Sequence, residues 1–311
     1  VNQAPRSAPS LEGLRRLLYE PPSPETWAAL CALVEGWREE ALWPLAADYA
    51  AQHLEGWPDA LREAPHAWWR AARAGAPPRG WPLARAVRLG AATQRDADAL
   101  LAAIENNHLR NIAHWKIVDR GGEVLGALCG AEGALAPRAL ELERAQGGFL
   151  EEASRRARWW GGVEALIQRP GGGLGSWSQG WGPPLPPGLR SLALCGEGRY
   201  GVEVVGALLQ RSPPPTLASL SLVGVGLTAR EVAVLGLAPW RGQLRALDLS
   251  ENGLDEEAGR ALALLGGASG LSRVRLWGHR LSAEGRARLR VALPGVSLEF
   301  ERFSDGERAT Y

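Results

Sequence analysis

The stretch Gln243–Gly267, QLRALDLSENGLDEEAGRALALLGG, constrains the fold of this chain more than any other. Leu244, Leu247, Leu249, Asn252 and Leu254 follow the spacing L-x-x-L-x-L-x-x-N-x-L. Residues two apart on a strand point to one face, so Leu247 and Leu249 predict a short strand with one buried side. Asn252 is placed to hydrogen-bond the backbone where the chain leaves that strand. Asp255 can cap a following helix, with Glu256 and Glu257 in its first turn, where the helix dipole favours acids. Ala258, Ala261, Leu262 and Leu265 recur at helical spacing, and Gly266-Gly267 stops the helix. One strand, one turn and one helix cannot bury their apolar faces alone; they need copies stacked on either side.

The copies are present. Units begin at Leu189, Leu217, Leu244 and Leu271, a period of 27 or 28 residues. Leu189-Leu192-Leu194 leads into a helix at Val202–Leu209. Leu217-Leu220-Leu222 leads into one at Arg230–Leu237, and Leu271-Val274-Leu276 into one at Ala283–Val291. Val296, Leu298 and Phe300 alternate as a last strand. Upstream, Val163-Leu166 and Leu140-Leu142 fit strands, the latter with Pro137 in the first position. Leu109-Ile112 and Val87-Leu89 keep roughly the same interval, a frame that sets His114 at a buried leucine position. About eight or nine units fit between residues 83 and 300.

These units resemble the leucine-rich repeat family, and the strand–turn–helix unit is similar to its ribonuclease-inhibitor-like class. The resemblance covers about residues 83–300 and is strongest over Leu244–Leu265. Only Asn252 supplies the family's asparagine; Val225 and His279 stand at the matching positions. The resemblance implies an α/β solenoid, with a curved parallel sheet on the concave face and helices and loops on the convex face. It also implies that another protein binds the concave face, although fold does not fix function.

The columns between the strand leucines predict that face: Ser191, Ala193, Cys195; Ser219, Ser221, Val223; Ala246, Asp248, Ser250; and Arg273, Arg275, Trp277. Upstream they continue as Ala165, Ile167, Arg169 and Ala139, Glu141, Glu143. The predicted protein-binding residues are Ser191, Ala193, Ser219, Ser221, Val223, Asp248, Arg273, Arg275 and Trp277. Small side chains in the centre let a partner approach closely, while Arg and Trp at the margin supply anchors. The competing reading is that small residues only relieve crowding on a tightly curved sheet. Arg245 and Glu251 flank the same surface.

Before the repeats, residues 1–78 read as an all-helical domain. Leu11, Leu14, Leu17 and Leu18 lie on one side of a helix ended by Pro21 and Pro22. A second runs through Trp27, Leu30, Cys31, Val34 and Trp37. A third spans Glu39 to Leu54, with Pro44 as a kink or a new start, and a fourth Pro58–Ala74, interrupted at Pro65. Such a domain is marginal alone and is expected to cover the open sheet edge of the first repeat; recruitment of a partner is its second reading. Trp68 and Trp69, adjacent on a helix, diverge by about 100°, so one is expected at the surface. The repeats occupy 79–303, and 304–311 is a loose tail.

Composition narrows the functional classes. One lysine, Lys116, stands against 34 arginines, and methionine is absent, as a GC-rich bacterial genome produces. Arginine abundance is therefore poor evidence for phosphate binding. With a net charge of +1, no overall field recruits nucleic acid or a membrane surface. A nucleic-acid-binding solenoid would need a contiguous arginine stripe, whereas the arginines alternate with acids. Cys31, Cys129 and Cys195 lack CxxC spacing and suit buried thiols in a reducing compartment. No apolar run reaches membrane-spanning length, and the start lacks a basic-then-apolar signal. His53, His66, His108, His114 and His279 show no metal-ligand spacing. Gly171–Gly173 and Gly175 fail the G-x-G-x-x-G pattern. Ser178 in SWSQG imitates a nucleophile elbow with Ser176 in the first glycine's place, but no His or acid partner can be assigned. The expectation is a cytoplasmic, non-catalytic adaptor or regulatory scaffold, with no cofactor, metal or small-molecule substrate. A hydrolase centred on Ser178 is the alternative from another class.

Overall fold

A computed structural model describes residues 9–90, 94–118, 123–130, 135–143, 149–169, 184–198, 200–267 and 270–300. Nine strands form one unclosed sheet, all parallel and in chain order. They are β1 (Ala86–Gly90), β2 (His114–Val118), β3 (Ala139–Glu143), β4 (Ala165–Gln168) and β5 (Ser191–Cys195). β6 (Ser219–Val223), β7 (Ala246–Asp248), β8 (Arg273–Arg275) and β9 (Ser297–Glu299) continue it. Parallel neighbours need crossovers. These include α5 (Gln94–Glu105), α6 (Glu123–Gly130), α7 (Phe149–Arg156) and α8 (Gly201–Arg211). α9 (Ala229–Gly236), α10 (Glu256–Ala263) and α11 (Ala283–Ala292) complete the repeat-like, solenoid-like winding.

The period seen in the sequence becomes register. Leu166, Leu192, Leu220, Leu247, Val274 and Leu298 pair in one row across β4–β9. All but Leu298 are buried in a core shared with the helix leucines. The carbonyl just before each strand marks the same period. Arg85, Ala113, Arg138, Glu164, Arg190, Ala218 and Arg245 each accept two consecutive N–H groups from the next unit. Asp255 caps α10 by accepting from Glu257 N and Ala258 N, and Thr228 with Glu231 forms a capping box at α9. Asn252 accepts from Gly226 N and Leu227 N of the preceding unit and donates to Leu222 O, Leu249 O and Ser250 O. At the matching positions Val225 is buried and His279 Nδ1 accepts from Leu281 N.

The upstream frame differs from the sequence expectation. The repeating positions are Ile112, Trp115 and Ile117, all buried, rather than Leu109, Ile112 and His114. The indole of Trp115 fills the leucine pocket against Trp159 and donates to Ile112 O. His114 accordingly lies in the outward column, paired with Ala86 and Ala139.

The N-terminal segment comprises α1 (Leu11–Tyr19), α2 (Pro24–Gly36), α3 (Trp43–Leu54) and α4 (His66–Arg73). Ser10 and Ser23 cap α1 and α2, and Pro44 sits in the first turn of α3, so it starts that helix rather than kinking it. The segment is not all-helical. Between α3 and α4 the chain extends through Glu63, which bridges Ala86 in parallel, while Arg62 O accepts from Arg85 N and Ala86 N. The double-acceptor ladder thus begins at Arg62, and the exposed edge of β1 is covered.

The tryptophans complete this joint. Trp27 Nε1 donates to Glu63 O, Trp68 Nε1 to Glu35 and Trp81 Nε1 to His108 O. Both Trp68 and Trp69 are buried, against the expectation that one faces solvent: Trp69 stacks on Trp81, which follows the helices in sequence. A side chain at Gly80 would overlap the Trp68 ring and lie 2.7 Å from Val34 Cγ1, so only glycine allows that approach.

Candidate functional site

The sheet face opposite the helices is built from three outward columns. The nine residues predicted for binding lie on it, on β5, β6, β7 and β8 and, two residues past β8, at Trp277. Ser191, Ser219, Val223 and Trp277 are half-buried; Ala193 and Ser221 are nearly covered by their neighbours. Arg273 is exposed, its Nε 3.3 Å from Glu299 Oε1.

Arg275 and Asp248 have a different standing. Arg275 is 8% exposed; its Nε donates to Glu299 Oε2 at 2.7 Å, its Nη1 lies 3.4 Å from Asp248 Oδ2, and its guanidinium covers Trp277. Asp248 Oδ1 also accepts from Ser250 N. These two residues are committed within the sheet face, holding β7, β8 and β9 together. An Arg275→Glu change would face Asp248 and Glu299 with a like charge, so it cannot serve as a surface probe.

Between the ends lies a pocket of about 190 Å³. Ile167, Ala193, Cys195 and Val223 supply its apolar lining, with Ser221 and Ser250 beside them. Arg169, Glu251 and Trp277 form its rim. Burial raises the pKa of Cys195, more than the nearby Arg169 lowers it, so the thiol meets the pocket in its neutral form.

Upstream, the corrected frame adds residues that the sequence reading did not collect. Arg88 donates to Glu143 across two strands at 2.6 Å, and Lys116 pairs with Glu63 from the N-terminal segment. Glu141 pairs with Arg169 and lies 3.5 Å from Nε2 of the buried His114. The Ile112–Trp115–Ile117 frame would have put His114 and Lys116 on this face, and the Val87-Leu89 frame already turns Arg88 outward; nothing local in the sequence marks Glu63.

Burial alone would raise the pKa of Glu141. The imidazole of His114 at 3.5 Å, a hydrogen bond from Arg169 and the charges of Arg169 and Lys116 outweigh it and hold the carboxyl at about 2. A folded-state pKa below the unfolded value contributes stability that is present above the unfolded value, about 4.3, and fades as pH falls toward 2. We expect Glu141→Gln to flatten the stability–pH curve between about pH 4.5 and 2. Urea titrations of both proteins across that range check this; parallel curves would remove Glu141 from the acid response.

Ser178 and the glycine-rich stretch around it lie outside the described residues, as do Trp177, Trp181 and the tail 304–311. Among the described residues, no group of three or more His, Cys, Asp and Glu could hold a metal ion. No helix among them is long and apolar enough to cross a membrane.

No family model and no curated protein matches the chain. Among solved structures it is similar to a structural-genomics protein of Bacteroides fragilis, 14% identical over 71% of this chain and 75% of that one, with a TM-score of 0.42.

Proposed function

We propose that this chain is a leucine-rich-repeat solenoid of the ribonuclease-inhibitor-like class that acts as an adaptor or regulatory scaffold. It binds another protein on the concave sheet face and performs no chemistry itself. The observation that carries the reading is the pocket in the middle of that face, where the small columns of β5 and β6 meet Ile167 and Trp277. Small residues that only relieved crowding would close over one another. Here they leave an apolar recess with Arg and Trp at its rim, the composition of a protein contact site. We place the protein in the cytoplasm of a bacterium, in keeping with three unbonded cysteines. Burial pushes Cys31 and Cys129 up to about 12 and about 11, as inert packed thiols.

The test is affinity capture from the source cells with wild type and a Ser219→Arg, Arg273→Gln double variant. Both positions lie on the face; Arg273 shares Glu299 with Arg275, but glutamine there leaves the 2.7 Å Arg275–Glu299 contact in place and adds no like charge. We expect one protein held by wild type and lost from the variant, with unchanged circular dichroism. Identical captured sets would sink the concave-face reading.

A further inference from the structure

The geometry points to the chemistry of the partner: a peptide segment carrying one bulky apolar side chain, which enters the Ile167–Ala193–Val223 pocket, with acidic residues on the β1 side of that side chain. This deepens the concave-face reading and rests on it.

Size comes first. A cavity of about 150 Å³ holds a benzene ring, so a recess of about 190 Å³ accepts a phenyl or branched aliphatic side chain. Cys195 meets it as a neutral thiol, and the other lining side chains there are Ile167, Ala193 and Val223. The charges around the recess then set a direction. On the β1 side the arginines lie outermost and their carboxylates beneath them. Arg169 is 45% exposed over Glu141 at 12%, and Arg88 is 54% exposed over Glu143 at 30%. Each guanidinium meets its carboxylate through one nitrogen, and a guanidinium has five N–H donors. A second carboxylate can therefore approach from solvent. Lys116 and Glu63, at comparable exposure, neutralise each other and add no bias. On the opposite side Arg275 is only 10% exposed and already paired with Asp248 and Glu299, and Arg273, 59% exposed over Glu299, lies outside the lining of the recess.

Arg169 borders the pocket directly, and Arg88 lies three strands beyond it. Three inter-strand spacings make about 14 Å, roughly four residues of extended chain. The fitting segment therefore places one acid next to its apolar anchor and a second about four residues further on the same side.

Display of random twelve-residue peptides, selected on the full chain, tests this. The expected enriched sequences carry one Phe, Leu or Ile with Asp or Glu confined to one side of it. Synthetic copies should bind Ala193→Trp, which fills the pocket, at least tenfold more weakly. Val223→Arg, at the half-buried mouth, serves as the second pocket variant if Ala193→Trp misfolds. Arg169→Gln should weaken binding about fivefold and lower its salt dependence. Enriched peptides that are basic, or that keep their affinity for both pocket variants, overturn the proposal, as does an absence of enrichment. Peptides that ignore the pocket variants but are lost on Ser219→Arg would leave the concave face as a binding surface and overturn only the pocket chemistry. Peptides indifferent to all of these changes would sink both readings.

Discussion

Arg62→Leu should cost about 4 kcal/mol and release the N-terminal helices before the sheet unfolds. Arg62 is buried between α3 and the first strand. Its Nη1 donates to Leu54 O at 2.9 Å, and its Nε and Nη2 to Leu83 O at 2.9 and 2.7 Å. Leucine keeps most of the volume but strands Leu83 O in a dry place, an unsatisfied group worth about 1–3 kcal/mol, and leaves Leu54 O with Trp57 N alone, so the loss of the charge-assisted bonds adds to the cost. Burial, with Arg85 nearby, lowers the Arg62 pKa to about 10 against an opposing pull from Asp59, so the side chain remains charged at neutral pH. Its backbone carbonyl also starts the ladder into β1. Loss of the side chain therefore loosens both the helical packing and the edge it covers. Hydrogen exchange should show residues 11–73 losing protection while β5–β8 keep theirs. Arg15→Ala, at an exposed site on α1, should change stability by less than about 0.5 kcal/mol. A cost below about 1 kcal/mol for Arg62→Leu would mean that the helices hold to the sheet by apolar contact alone.

The second large effect is expected at Asn252. Asn252→Ala removes five contacts to backbone groups of two adjacent units, at 2.7–3.1 Å. The amide is part-buried, so water can reach some of the abandoned partners, and we expect about 3 kcal/mol rather than the sum of the separate bonds. Asn252→Asp separates the two halves of the role. It keeps the acceptor for Gly226 N and Leu227 N but turns a charge toward Leu222 O, Leu249 O and Ser250 O. We therefore expect it to be no more stable than the alanine variant. Guanidinium unfolding followed by far-ultraviolet circular dichroism, read beside proteolysis between β6 and β7, checks both. If Asn252→Ala unfolds with wild type, the unit-to-unit contact rests on the leucine rows and the asparagine is incidental.

The sheet was largely legible in the sequence because its units repeat. A leucine row such as Leu192–Leu220–Leu247 can be buried only if every strand takes the same register, so the spacing dictates pairing as well as strand position. The small columns at β5 and β6 followed from that register. The caps at Asp255 and the turn at Asn252 are local, and local chemistry is readable wherever donor and acceptor lie a few residues apart. Where the repeat degenerates the reading slipped. Trp115 in place of leucine moved the frame by three residues and hid the outward positions of His114 and Lys116.

Tertiary structure alone decided the rest. Arg62 reaching Leu83 O, Lys116 meeting Glu63, and Arg275 turning between Asp248 and Glu299 join residues 21 to 53 positions apart, with no periodic signal to announce them. Their identities fit exposed anchors equally well. Whether a long charged side chain points to solvent or folds onto a neighbouring strand depends on the carboxylate or carbonyl that packing brings within reach. The sequence by itself determined which residues line the open face of the sheet from β3 to β8. Packing decided which of their charges are already neutralised there, because that balance is set by distances between strands rather than by spacing along one.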